Sequence, residues 1–76
     1  MENVYYPNGK KLREIILDTN GIKTFEKYYY ESGEIKSIYP YKDELIDGNV
    51  KWFTINGDIN VDEIYIRGVL VRNSKN

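Results

Sequence analysis

The side chains that could do chemistry are few in kind. The 76-residue chain has no Cys and no His, which removes thiol nucleophiles, disulfides, imidazole bases and ordinary zinc sites together. Carboxylates remain. Glu31, Glu34, Asp43, Glu44, Asp62 and Glu63 could pair for acid–base work of the glycosidase kind, but they sit near predicted turns, where water keeps such groups ionised. Asp58, Asn60 and Asp62 alternate like the opening ligands of a calcium loop. That loop needs Gly at its sixth position and Glu at its twelfth, and here those places hold Glu63 and Val69. The solvent face of a strand explains the same three residues. Gly9, Gly33 and Gly57 are isolated and belong to no phosphate-cradling loop. These residues predict a chain that is not an enzyme and has no catalytic residue, cofactor or metal.

The aromatic side chains suit contact better than catalysis. Eight Tyr, two Phe and one Trp supply large, rigid surfaces of the type that dominates binding hot spots. In a strand, neighbours point to opposite faces, so the run Tyr28-Tyr29-Tyr30 cannot bury on one side only. The alternative is that the rings form cross-strand ladders, each pair contributing up to ~1 kcal/mol. We expect a partner-binding face carrying Tyr28, Tyr30 and Trp52, joined by Tyr6, Tyr39 and Tyr41.

Charge narrows the partners. Eleven basic and twelve acidic residues give a formal net charge of −1, and the Lys and Arg residues are dispersed. Counterion release from nucleic acid needs a concentrated basic face, so no direct nucleic-acid binding is expected. Lys10, Lys11, Arg13, Lys23 and Lys27 could form a modest basic stripe, which on alternating strands usually reads as a solvated face. No apolar run approaches the ~18 residues that span a bilayer, and Met1-Glu2-Asn3 does not open a signal peptide. A cytoplasmic protein is expected, with membrane binding disfavoured. The skew toward Ile, Lys, Asn and Tyr fits an AT-rich bacterial or phage genome.

Such a face needs strands to position it. Val, Ile, Thr, Tyr, Phe and Trp make up 29 residues, while Ala is absent, a composition that favours pleated over helical structure. Period-2 alternation places Ile22, Thr24, Glu26, Tyr28 and Tyr30 on one face and Lys23, Phe25, Lys27 and Tyr29 on the other. Turn dipeptides end at Gly9, Gly21, Gly33, Gly48, Gly57 and Gly68, most with the Asn-Gly or Asp-Gly chemistry of hairpins. Six turns predict about seven short strands in an antiparallel meander.

The turns are periodic. Gly9, Gly33 and Gly57 stand 24 residues apart. Four residues before them come Tyr5, Tyr29 and Phe53, and one further back Val4, Tyr28 and Trp52. Just after the turns come Leu12, Ile35 and Ile59, an alignment that makes Lys11 an inserted residue. A second turn column holds Asn20-Gly21, Asp43-Glu44 and Arg67-Gly68. Three tandem repeats at approximately 4–27, 28–51 and 52–73 follow, with a polar C-terminal tail at 73–76.

The segments YYPNGKKLRE (5–14), YYYESGEIKSIYPYKDELIDGNVKWF (28–53) and FTINGDINV (53–61) resemble the bacterial variant of the MORN repeat. Its usual form is an aromatic pair, a turn ending in Asn-Gly, then Lys-Leu-Lys and a second Gly-containing turn. The resemblance covers residues 4–72 and is strongest over 28–57. It departs from the pattern at Glu44, where a turn glycine is usual, at Thr54, and at Asp62-Glu63. It implies consecutive β-hairpins in an elongated, twisted, largely single-layer all-β sheet. Because bacterial proteins with these repeats are often labelled antitoxin-like, it also implies a small inhibitor acting by surface contact. A phage or mobile-element inhibitor of a host defence nuclease, of the anti-CRISPR type, is an alternative. So are a self-assembling scaffold unit and a glycan-binding module using the aromatic face. A chain of this size rarely draws more than ~3–5 kcal/mol from one core, and an open sheet keeps two pairing edges. Another protein or a homodimer is therefore expected to cover part of it.

Overall fold

The computed structural model describes residues 2–73, so of the expected polar tail only Asn73 falls within the described residues. Eight strands follow one another with no helix among the described residues: β1 (Glu2–Tyr5), β2 (Lys11–Leu17), β3 (Lys23–Tyr29), β4 (Ile35–Lys42), β5 (Leu45–Ile46), β6 (Gly48–Phe53), β7 (Ile59–Ile66) and β8 (Val69–Asn73). They make one open antiparallel sheet in the order β1-β2-β3-β4-β6-β7-β8, with β5 paired to the end of β4. The predicted all-β meander is thus present. No helix of the described residues is long and apolar enough to cross a membrane.

The 24-residue period is a period of strand register. Val4 faces Arg13, Tyr28 faces Ser37, and Trp52 faces Val61. One step on, Tyr5 faces Lys11, Tyr29 faces Ile35, and Phe53 faces Ile59. Between the two steps the register slips by one residue each time, leaving Leu12, Lys36 and Asn60 as the extra residue of a bulge. Lys11 is therefore not an insertion, as aligning Leu12 with Ile35 and Ile59 had suggested. It occupies the column of Ile35 and Ile59, and the repeats have equal length.

The turns at one end of the sheet repeat with equal fidelity. Asn20-Gly21, which the sequence aligns with Asp43-Glu44 and Arg67-Gly68, instead makes a turn of this same kind, with the Asp18 amide donating to the Ile22 carbonyl at 2.8 Å. The amide of Tyr6 donates to the Lys10 carbonyl, that of Tyr30 to Glu34 and that of Thr54 to Asp58, each at 2.8 Å. Gly9, Gly33 and Gly57 close the same turns from positive φ of 87°, 101° and 91°. Successive repeats are tied by phenols: Tyr6 Oη donates to the Tyr29 carbonyl at 2.6 Å, and Tyr30 Oη to that of Phe53 at 2.7 Å. Thr54 takes the third place in this column, and its Oγ1 accepts from the Asp58 amide at 3.2 Å within its own turn. At the opposite end of the sheet, Asp43-Glu44 and Arg67-Gly68 make two-residue turns with both residues at positive φ, the geometry of a primed hairpin turn.

Asp47-Gly48 does not reverse the chain, contrary to its reading as a hairpin turn. It separates β5 from β6, which both run antiparallel to β4. The cause stands opposite: Pro40 in β4 has no N–H to give to a ladder, so the neighbouring strand must bulge there. Asp47 still donates its amide to the Pro40 carbonyl at 3.1 Å. Gly48 follows at φ 121°, with its would-be Cβ 3.0 Å from Pro40 Cγ.

The plate measures 37 × 36 × 13 Å, too thin for two stacked sheets with their outer side chains. Its equal long dimensions make it as broad as its strands are long, so three repeats do not draw it out into a rod. Val50, at 2% exposure, is the only buried apolar residue among those described, whereas Glu14, Glu26 and Ser37 are buried polar ones. Bulges and single-layer burial re-aim several charges. The basic residues do not form one stripe: Lys11 reaches Glu14, while Arg13 and Lys23 reach Glu26 on the other face.

Two substitutions test the turn geometry by chemical denaturation. Glu44→Gly relieves a left-handed non-glycine residue and should stabilise by about 0.5–1 kcal/mol after the unfolded-state entropy of glycine is subtracted. Gly48→Ala should destabilise by roughly 2–3 kcal/mol through strain and the Pro40 contact.

Candidate functional site

One face of the sheet gathers five of the eleven aromatic side chains: Tyr28, Tyr39, Tyr41, Trp52 and Tyr65. A cross-strand row runs Arg13, Tyr28, Ser37, Trp52 and Val61 over β2, β3, β4, β6 and β7. Two residues along each strand, and so on the same face, come Ile15, Glu26 and Tyr39, then Val50 facing Glu63. The Tyr28 and Tyr39 rings meet edge to face at 6.0 Å, and Tyr39 meets Trp52 in the same way at 6.3 Å. Such pairs contribute about 0.5–1.5 kcal/mol beyond the area they bury.

The rings border an open trough made of two hollows. The first, of about 330 Å³, lies among Tyr28, Tyr39, Tyr41 and Trp52, with Glu26, Lys36, Ser37 and Ile46 completing it. The second, of about 280 Å³, shares Tyr39, Ile46 and Trp52 and adds Val50, Val61, Glu63 and Tyr65. Trp52 remains 39% exposed.

Charges are distributed unequally between the hollows. In the first, Glu26 accepts from Arg13 Nε at 3.0 Å and also from Arg13 Nη2. Lys23 Nζ stands 3.9 Å from Glu26, and Tyr41 Oη is 3.4 Å away. The same cations sit on rings: Lys23 Nζ lies 3.9 Å from the Tyr41 centroid and the Arg13 guanidinium 5.8 Å from that of Tyr28. Hydrogen bonding to Glu26 raises the Arg13 pKa further. Burial raises the Tyr39 and Tyr41 phenols, with Glu26 adding to the rise at Tyr41. In the second hollow Tyr65 Oη donates to Glu63 at 3.1 Å, and this bond raises the Tyr65 phenol.

The opposite face carries its own buried carboxylate. Glu14 accepts from Tyr29 Oη at 2.8 Å and pairs with Lys11 Nζ at 3.2 Å. The Tyr29 bond holds the Glu14 carboxyl below its ordinary range, and burial together with Glu14 pushes Tyr29 up to about 12. Asp62 accepts from Asn49 Nδ2 at 2.6 Å on this side of the sheet.

Of the six aromatic residues the sequence singles out, Tyr28, Tyr39, Tyr41 and Trp52 come together in the trough. Tyr6 and Tyr30 do not line it, because their hydroxyls bind backbone carbonyls and tie neighbouring repeats. Glu26, Lys36, Ser37, Ile46, Val50, Val61, Glu63 and Tyr65 line the trough without having been expected as site residues. Alternation along residues 22–30 does place Glu26 on the face of Tyr28, and a 24-residue step from Tyr41 reaches Tyr65. The whole arrangement offers ring faces, an ion-paired carboxylate and a carboxylate bonded to a phenol. Those are the means of polar and aromatic contact. Compared with protein-family models, curated proteins and solved structures, the chain finds no match.

The Glu14–Tyr29 pair gives a two-sided pH dependence. Glu14 is depressed from 4.5, so its contribution is fully present above pH 4.5 and is lost as pH falls through the lower folded value. Tyr29 is raised from 10.0 to about 12, so its contribution is complete below pH 10.0 and is lost as pH rises through about 12. Phenolate absorbance should show Tyr29 ionising last. Glu14→Gln should bring that ionisation down and flatten the acid limb of stability.

Proposed function

We propose that this chain is a non-enzymatic protein-binding module of MORN-like hairpin repeats that blocks a partner by contact through its trough face. The observation behind the reading is an uncovered aromatic trough on a single-layer sheet. No other element packs over it among the described residues, and its rings already hold fixed edge-to-face positions. Rigid Tyr and Trp rings lose little entropy on binding, which is why they anchor interfaces. An antitoxin-like cytoplasmic inhibitor is the form this reading takes, with a phage inhibitor of a host defence nuclease as its variant. Glycan stacking is less well served, because perpendicular rings do not offer one flat platform.

A second reading, self-assembly, draws on the β8 edge. Val69, Leu70 and Val71 are 62%, 46% and 52% exposed, with Ile66 at 54% beside them. An exposed apolar edge strand is a template for pairing.

The tagged protein used as bait in lysate of its source organism should retain one stoichiometric partner. Tyr28→Ala/Trp52→Ala should lose that partner, while Phe25→Ser on the opposite face keeps it. Recovery of the chain alone, with light scattering showing oligomers that Val71→Lys dissolves, would replace binding with self-assembly.

A further inference from the structure

A 24-residue step relates part of the lining of the two hollows, and what differs between them identifies what the second one takes. The strand pairs Arg13↔Tyr28, Glu26↔Tyr39 and Phe25↔Pro40 reappear 24 residues later as Ser37↔Trp52, Val50↔Glu63 and Asn49↔Ile64. The rings survive this step, Tyr28 becoming Trp52 and Tyr41 becoming Tyr65. A carboxylate survives too, moved one strand along from the place of Glu26 to that of Glu63. The cations do not: the place of Arg13 is taken by Ser37, and that of Lys23, which faces Leu17, by Ile46, which faces Tyr41. Among the described residues no cation lies within ion-pair distance of Glu63, whose hydrogen bond comes from Tyr65.

Beside the first hollow the molecule holds such cations itself: the Arg13 guanidinium and the Lys23 ammonium lie against the Tyr28 and Tyr41 rings and the Glu26 carboxylate. We infer that the second hollow, formed by Tyr39, Trp52, Tyr65 and Glu63, binds an arginine or lysine side chain presented by a basic segment of a partner protein. The inference rests on the protein-binding reading above and deepens it. A hollow of about 280 Å³ has room for one such side chain. Aromatic rings attract the cation through their quadrupoles, and Glu63 supplies the charge complement.

Trp52 is the only tryptophan and lines the site, so its fluorescence reports occupancy. The full chain is titrated with the capped tripeptide Gly-Arg-Gly, its lysine and citrulline counterparts, and methylguanidinium. The arginine and lysine peptides should saturate the signal, and the uncharged citrulline peptide should bind at least about tenfold more weakly. Glu63→Gln should weaken the arginine peptide by about tenfold, and Ile46→Lys, which puts a cation at the place of Lys23, by a similar factor. Circular dichroism establishes that each variant keeps its strands. Equal binding of the citrulline peptide, or an unchanged Glu63→Gln variant, would overturn the inference. Methylguanidinium binding as tightly as the peptide would overturn the assignment to a protein segment. A partner that still needs Tyr28 and Trp52 but ignores Glu63→Gln would leave the protein-binding reading standing and remove this one. Glu63-dependent peptide binding without any protein partner in lysate would do the reverse.

Discussion

A sheet with no second layer among the described residues has to find its burial within its own side chains, and this constraint governs the rest of the molecule. A second layer would cover whole apolar stripes. Without one, a side chain is shielded only by the neighbours standing beside it on the same face. Val50 reaches burial because it lies in a central strand among large residues, but the other deeply shielded side chains are Glu14, Glu26 and Ser37. Buried carboxylates are costly unless paired and hydrogen-bonded. Each is accordingly met by a cation and a phenol: Lys11 and Tyr29 for Glu14, Arg13 and Tyr41 for Glu26. Long Lys, Arg and Tyr side chains can lie along the sheet and cover apolar surface while their polar ends remain satisfied. Polar ladders here take over part of the work that an apolar core does in a two-layer domain.

Lateral cohesion comes from the repeat. The ladders join adjacent strands, whereas the phenols of Tyr6 and Tyr30 reach carbonyls of the next repeat, 23 residues away. Repetition of this bond makes each repeat clamp its neighbour, as expected of a quasi-one-dimensional array. Thr54 stands third in this column, and its hydroxyl accepts from the Asp58 amide within its own turn. The bulges after Val4, Tyr28 and Trp52 recur with the same period and re-aim the residues beside them. In consequence Lys11 and Arg13, two positions apart, serve carboxylates on opposite faces.

Strand class, hairpin turns and the 24-residue period were legible because each rests on local chemistry. β-branched and aromatic residues, Asn-Gly turns and the absence of Ala all point the same way. Positions 28, 39, 41 and 52 were legible as aromatic, but alternation alone could not show which rings converge. The misread elements share one physical cause, the bulge. Alternation assigns Lys23 to the face of Phe25, but the register shift beside Leu17 delivers its ammonium to Glu26 and Tyr41. Asp47-Gly48 has the composition of a reversal, yet the reason for its geometry lies across the ladder in Pro40, which no local pattern around Gly48 reveals. Tyr6 and Tyr30 carry the same chemistry as Tyr28, and only the long-range position of a carbonyl separates a structural phenol from a contact ring.

The repeat also separates structural residues from residues free to specialise. The turns at one end of the sheet barely change across the period: Asn8, Ser32 and Asn56 stand before Gly9, Gly33 and Gly57. On the trough face the rings persist, since Tyr28 and Trp52, or Tyr41 and Tyr65, fill equivalent places. What varies there is charge. Arg13 and Glu26 give way to Ser37 and Val50, and Tyr39 gives way to Glu63. These substitutions exchange a shielded ion pair for a hydroxyl and the buried Val50 side chain. Their effect is on the potential at the surface, turning a hollow that is internally neutralised into one that presents an uncompensated carboxylate among rings. A uniform scaffold with locally altered charge is how a repeat protein can gain specificity without a new fold, and the trough is where this sheet does so.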